Sequence, residues 1–269
     1  MKADNEQETA QNGLLSFVDI SRSGIQILKR NKTFKAIEFA SFIFSFSSDN
    51  STWSKNTTQV LQSDKFKAFI SNTEVAFSTS DSQVTLIPAS LYSEKEKTKN
   101  FEFLFGESGT ALIQDQPFST SDTVGIFGIP KAIANAVSKP IQSSYLNWLD
   151  GLATDSTKVR ANIILNEKQF ALVMQKEGKL IFSNWFDYSK SDDVLYYLMA
   201  SLETLKILHS EVEVVLNGNV TKGDEIHTYI AKFISKLSLG KRSKNLTYSY
   251  SFKDLPEHRF PFIFSSACA

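Results

Sequence analysis

Side chains able to do chemistry are sparse among these 269 residues. His209, His227 and His258 stand far apart, and none belongs to an HExxH-like motif, so no zinc site is expected. The lone cysteine, Cys268, excludes an intrachain disulfide and a thiolate cage, and it makes a poor nucleophile without an ordered base. Neither a Gly-x-Ser-x-Gly elbow nor a Gly-x4-Gly-Lys-Ser/Thr loop occurs, which sets aside hydrolase and P-loop chemistry. No catalytic residue and no metal ligand is assigned. Three polar turns remain: Asp19-Ile20-Ser21-Arg22-Ser23-Gly24, Asn166-Glu167-Lys168-Gln169 and Leu216-Asn217-Gly218-Asn219. Ordinary turn chemistry accounts for each: Asp19 can accept hydrogen bonds locally, Glu167 can sit in solvent, and Gly218 can permit a tight turn.

The elements that position these turns are clearest in the second half. Val159 to Leu165, Phe170 to Lys176 and Lys179 to Tyr188 read as a three-stranded meander, with Glu177-Gly178 supplying a tight hairpin. Ser191 offers an N-cap, and Leu195, Leu198, Met199, Leu202 and Leu205 recur at helical spacing. Val212 to Leu216 reads as a buried strand. A second helix is expected from Ile226 to Leu237 with Gly240 as its C-cap, and Asn245 to Phe252 alternates like a final strand. The order is β-β-β-α-β-α-β. The first half opens alike, with strands over Leu14 to Ser21, Gly24 to Arg30 and Thr33 to Phe42. A loop over Ser47 to Lys55 and a helix ending near Ile70 follow. Then come strands at Glu74 to Thr79 and Gln83 to Pro88, and a charged helix over Ser93 to Phe103. Strands at Thr110 to Ile113 and Val124 to Ile129 precede a short helix over Lys131 to Ser138. The expected division is a polar leader over 1–13, a first lobe over 14–152 and a second over 153–269.

Charge and hydropathy exclude several partners. Lys plus Arg and Asp plus Glu balance at 29 each, so no global field exists to hold a phosphate backbone or an anionic membrane. The short basic run Lys241-Arg242-Ser243-Lys244 reads as a solvated loop, and nucleic acid is not an expected partner. The apolar runs Phe39 to Phe46 and Val194 to Leu208 are interrupted well short of the ~20 residues a bilayer span needs. No signal sequence is recognisable at Met1 to Gly13, and a cytoplasmic protein is expected. The Asn184-Trp185-Phe186 segment and the Tyr196-Tyr197 pair are aromatic enough for an interface, although burial also explains them.

A meander followed by α-β-α-β resembles the ribonuclease-H-like unit, and two in tandem resemble the actin-like ATPases. Lys179 to Tyr188, Ser191-Asp192-Asp193-Val194-Leu195-Tyr196-Tyr197-Leu198, Leu216-Asn217-Gly218-Asn219 and Leu86-Ile87-Pro88-Ala89-Ser90-Leu91 resemble a narrower group. It is an uncharacterised bacterial family of domain-of-unknown-function type with an actin-like ATPase fold, distantly PilM-like. The resemblance implies an α/β protein of two ribonuclease-H-like lobes, with mixed sheets flanked by helices. It also implies where a nucleotide would sit: Asp-x-Gly phosphate loops in the first hairpin of each lobe and a glycine pair at the adenosine turn. This chain departs at all three places. Ser21 stands where the first loop has glycine, Asn166 to Gln169 holds no glycine, and Leu216 to Asn219 keeps one. The expected function is a non-catalytic actin-like scaffold without a cofactor, working through an unidentified protein partner or self-association. The alternative is a nucleotide-binding ATPase or switch with atypical loops, using ATP with Mg. In that case Asp19, Glu167 and Gly218 would bind the cofactor in an inter-lobe cleft. On the scaffold reading, Asp19→Ala is expected to leave stability nearly unchanged.

Overall fold

Residues 13–152 and 159–268 are described by the computed structural model. The expected leader, apart from Gly13, and residues 153–158 of the expected lobe boundary lie outside the described residues.

β1 (Leu15–Ser21), β2 (Gly24–Arg30) and β3 (Lys35–Ile43) form an antiparallel meander, with Ser21 opposite Gly24 across the tight turn at Arg22-Ser23. The next helix starts at Asn50, inside the segment expected to be loop, because the Asp49 carboxylate accepts from Thr52 N at 2.7 Å. That helix, α1 (Asn50–Gln62), breaks at Ser63, whose hydroxyl caps α2 (Asp64–Ile70). β4 (Glu74–Thr79) then lies parallel beside β1, with Asp19 in register with Ser78. β5 (Val84–Pro88), α3 (Lys97–Phe105), β6 (Ala111–Pro117) and β7 (Thr123–Pro130) make a separate three-stranded sheet with its own helix, centred on Phe101, Ile113 and Ile126. α4 (Lys131–Val137), β8 (Ile141–Ser143) and α5 (Ser144–Asp150) bring the chain back, and β8 joins the first sheet parallel to β4.

The second meander is β9 (Val159–Leu165), β10 (Gln169–Lys176) and β11 (Lys179–Asp187). Its hairpin has Glu177 and Gly178 at φ 51° and 74°, the paired left-handed geometry that suits right-twisted strands. α6 (Ser191–Thr204) begins one residue earlier than Ser191 as N-cap would allow. Asp193 instead reaches back to accept from the amides of Ser189 and Lys190 at 2.8 and 3.0 Å. β12 (Val212–Gly218), α7 (Glu225–Ala231) and β13 (Leu237–Leu239) complete the sheet, with β12 parallel to both β9 and β13. The apolar face of the meander and β12 closes over Val194, Leu198 and Leu202 of α6 and Ile230 of α7.

Both sheets carry the ribonuclease-H-like order: third, second, first, fourth, fifth strand, reading β3-β2-β1-β4-β8 and β11-β10-β9-β12-β13. Three expectations in the C-terminal third are corrected. The helix expected to Leu237 stops at Ala231, and Leu237 opens a strand. Gly240 is no helix cap: a Cβ there would collide with the buried Asn217 amide. The strand expected over Asn245 to Phe252 shrinks to β14 (Thr247–Tyr248), which pairs with β3 of the first sheet, and α8 (Pro261–Ser266) follows. The chain accordingly divides into two units that interleave. The first takes the described residues up to Gly151 with Ser243–Asp254 and the stretch from Phe262, and the second takes Leu152–Arg242 and Leu255–Pro261.

Candidate functional site

In the first unit the site grows from the carboxyl ends of β1 and β4, which run parallel side by side. Asp19 is buried, and its carboxylate collects three hydroxyls: Ser78 and Ser144 donate to Oδ1 at 3.0 and 2.6 Å, and Ser80 donates to Oδ2 at 2.8 Å. Burial pushes the carboxyl above its ordinary range, while the hydrogen bonds from Ser144, Ser80 and Ser78 pull it down without cancelling the rise. The three serines come from β4, the residues after it and the start of α5, so the carboxylate is a knot tying three segments to β1. Its partners lie on other segments and not, as expected from sequence, in its own turn, and Asp19→Ala would take the acceptor from Ser80 and Ser144 and one of two from Ser78.

The adjoining turn holds a group the sequence reading passed over. Arg22 is buried between β1 and β2, and each of its five N–H donors has an acceptor. Nε and Nη2 clasp Asp81 at 2.6 and 3.0 Å, Nη1 donates to the carbonyls of Ser48 and Ser47 at 2.8 and 3.3 Å, and Nη2 also reaches Asn50 Oδ1 at 3.1 Å. The guanidinium lies 4.6 Å from the centre of the Trp53 ring, whose indole N–H donates to the Ser21 carbonyl at 2.8 Å. Gly24 closes the turn because a Cβ would meet the Phe42 carbonyl at 2.6 Å. Its smallness thus serves β3. A signal was present in the sequence, in the polar run Ser78-Thr79-Ser80-Asp81-Ser82 that ends an apolar strand and in an arginine flanked by serines in a hairpin.

In the second unit Glu167 is exposed in the β9–β10 turn. Gly218 lies beside the end of the same strand, in register with Leu165. The structure therefore brings Glu167's turn and Gly218 to one end of one sheet, and Asp19 belongs to the other unit. Gly218 has φ 82°, and a Cβ there would collide with the Leu165 carbonyl. Its amide donates to the His258 carbonyl at 2.8 Å, and Asn219 N donates to Leu165 O at 2.7 Å. His258 Nε2 in turn lies 2.7 Å from the Val220 carbonyl. Tyr188 donates to Asn166 O at 2.7 Å, and burial followed by the charges of Glu167 and Asp224 pushes its phenol upward.

The remaining candidates are structural. His209 is exposed and His227 half-buried, and among the described residues no three His, Cys, Asp or Glu side chains gather around a point that could hold a metal ion. The Cys268 thiol donates to Phe264 O at 3.2 Å, and burial pushes it up against the opposing pull of Ser243 and Arg30. Arg242, expected in solvent, donates to the Leu255 carbonyl. Trp185 and Phe186 belong to a half-buried strand, and Phe186 stacks on Tyr197 at 4.2 Å with Tyr196 outside it.

Residues 3–237 match the model of a family described as "Protein of unknown function (DUF3822)". No curated protein matches the chain. Among solved structures it is similar to a Bacteroides thetaiotaomicron protein with an actin-like ATPase fold and unknown function, at 18% identity and TM-score 0.71 over 86% of this chain and 92% of that one. It is similar also to the PilM–PilN type IV pilus biogenesis complex, at 11% identity and TM-score 0.66 over 95% and 97% of the two chains. The ethanolamine utilization protein EutJ of Carboxydothermus hydrogenoformans follows at 9% identity and TM-score 0.50, over 95% and 88%. These likenesses show the actin-like ATPase fold.

Proposed function

We propose that this chain, which belongs to the DUF3822 family of proteins of unknown function, is a non-catalytic actin-like scaffold that works in the cytoplasm through contacts with protein. One observation carries the reading: the turn where the resemblance puts the first phosphate loop is filled by the Arg22 guanidinium, all of whose donors are taken from within the unit. A phosphate arriving there would find the guanidinium donors already taken and Ser21 where the loop has its close-approach glycine. Two features support it. Asp19, the carboxylate the same loop would offer to Mg2+, is buried and accepts from three serines. Gly218 is required by its φ and by the nearness of Leu165, with no ligand needed to explain it. The PilM–PilN structure is by its name a complex between proteins, which fits a partner-binding use of the same fold. The two similar strand orders fit an origin by duplication. Partner identity and self-association belong to the same proposal.

The test is phosphate release from Mg-ATP by the purified protein, with calorimetric titration alongside. The scaffold reading expects neither phosphate above the blank nor saturable heat. Saturable binding with turnover would instead favour the ATPase or switch with atypical loops.

A further inference from the structure

A charged side chain buried in a folded chain is normally paired with an opposite charge, because a lone ion out of water is costly. Arg22 obeys this rule through Asp81, and Arg30 breaks it. Arg30 is the last residue of β2, at the opposite end from the Arg22 turn, and is 6% exposed. Among the described residues no Asp or Glu lies within ion-pair distance of it. Its hydrogen bond runs from Nη1 to the neighbouring Asn31 carbonyl at 3.2 Å. Nε is buried without an acceptor, and Nη2 makes no hydrogen bond among the described residues. Nε and Nη2 form the edge of the guanidinium that fits the two oxygens of one carboxylate. We propose that this edge is a binding site for a single carboxylate. The inference is independent of the scaffold reading, because the site lies within the first unit away from the Arg22 turn and holds whether or not any nucleotide binds.

The surroundings hold this fork without neutralising it. The guanidinium carbon lies 4.2 Å from the centre of the Phe34 ring and 5.0 Å from that of Phe17. A ring face attracts the cation but supplies no acceptor to an N–H in the guanidinium plane. The Asn31 carbonyl that takes Nη1 also accepts from Phe34 N at 3.2 Å. Asn31 Oδ1 accepts from the amides of Thr33 and Lys35 at 3.0 and 2.9 Å, so the β2–β3 turn is fixed before a ligand arrives. Phe34 is 40% exposed and Phe17 half-buried, which keeps the guanidinium close to solvent.

The titratable group whose charge acts on Arg30 is Cys268. Burial pushes that thiol upward against the pull of Ser243 and Arg30, so it stays protonated near neutral pH and brings no counter-charge. The chemistry then selects among anions. Two donors and one positive charge complement a single carboxylate, whereas a phosphate dianion brings a second charge and a third oxygen that this edge leaves unmet.

Nuclear magnetic resonance of the arginine Nε–H signals on the full chain tests this, with ionic strength held constant by sodium chloride. Sodium acetate should shift the Arg30 signal saturably, with half-saturation at about 1–10 mM, and leave the Arg22 signal in place because Asp81 already holds that fork. The thermal midpoint should rise along the same acetate curve. Arg30→Gln should abolish both responses, and Arg30→Lys, which keeps the charge and loses the fork, should weaken binding about tenfold. If either variant folds poorly, the contrast between Arg30 and Arg22 in wild type still decides. A blocked peptide with one internal Asp saturating below acetate would assign the carboxylate to a partner chain, and the reverse order would assign it to a small acid. An Arg30 signal indifferent to acetate would overturn the site, leaving water as the partner of Nε, as would an equal shift at Arg22. Phosphate saturating at a lower concentration than acetate would overturn the choice of carboxylate.

Discussion

Burial raises the Asp19 carboxyl while Ser144, Ser80 and Ser78 lower it, and the net direction is upward. A folded-state value above the unfolded 3.8 means the native state holds the proton more tightly. The contribution of this group to stability is therefore complete below the unfolded value and declines as pH rises through the folded one. Asp19→Asn keeps an acceptor and removes the titration. The urea midpoints of Asn variant and wild type, compared from about pH 4 to pH 8, should shift in favour of the variant as pH rises. A pH-independent gap would contradict the account of this carboxyl. Asp19→Ala, which removes the acceptor of Ser80 and Ser144 and one of the two acceptors of Ser78, should cost about 2–4 kcal/mol. Its neighbour behaves differently, because Arg22 and Asp81 are a buried pair whose halves depend on each other. Arg22→Ala should cost about 3–5 kcal/mol, and pairing Arg22→Met with Asp81→Leu should recover much of it, since no isolated charge is then left inside. Denaturant unfolding of the three variants checks both statements, and a loss under about 1 kcal/mol for Arg22→Ala would contradict the burial argument.

At the scale of elements, what was legible in the sequence was whatever its own periodicity specifies. The β9–β11 meander follows from three apolar runs and a Glu177-Gly178 turn, and both halves of the hairpin residue pair take positive φ. α6 follows from leucines at helical spacing, with only the cap displaced to Asp193. Local pattern failed where pairing is remote. Leu237 continues the helical spacing from Ile226 yet joins β13, because β12 offers a parallel edge that no local pattern encodes. Tyr248 alternates like a strand of the second unit yet pairs with Ala36, far back in the chain. The candidate site was half legible for the same reason: Asp19 and Gly218 stood out by type, but the serines, Arg22 and Asp81 are joined by the parallel registers of β1 with β4 and of β4 with β8. Gly218 itself yields a sharp prediction. Gly218→Ala adds a strained φ and a clash with the Leu165 carbonyl, so thermal or urea unfolding should show a loss of about 2–4 kcal/mol. A near-neutral result would mean that the β12 end moves easily.

For the whole molecule, two units of the same strand order carry different fillings at corresponding places. The first has an ion pair beside the ends of β1 and β4, and in the second the Gly218 amide at the end of β12 is taken by the His258 carbonyl. Both are made by the chain itself, which is the basis for expecting no nucleotide. Thermal unfolding of the purified protein with and without millimolar Mg-ATP and Mg-ADP measures this most directly. A ligand bound only by the native state at 100 times its dissociation constant adds about 2.7 kcal/mol, which raises the midpoint by several degrees. The account predicts coincident transitions in all three conditions; a midpoint raised by several degrees with Mg-ATP or Mg-ADP would contradict it.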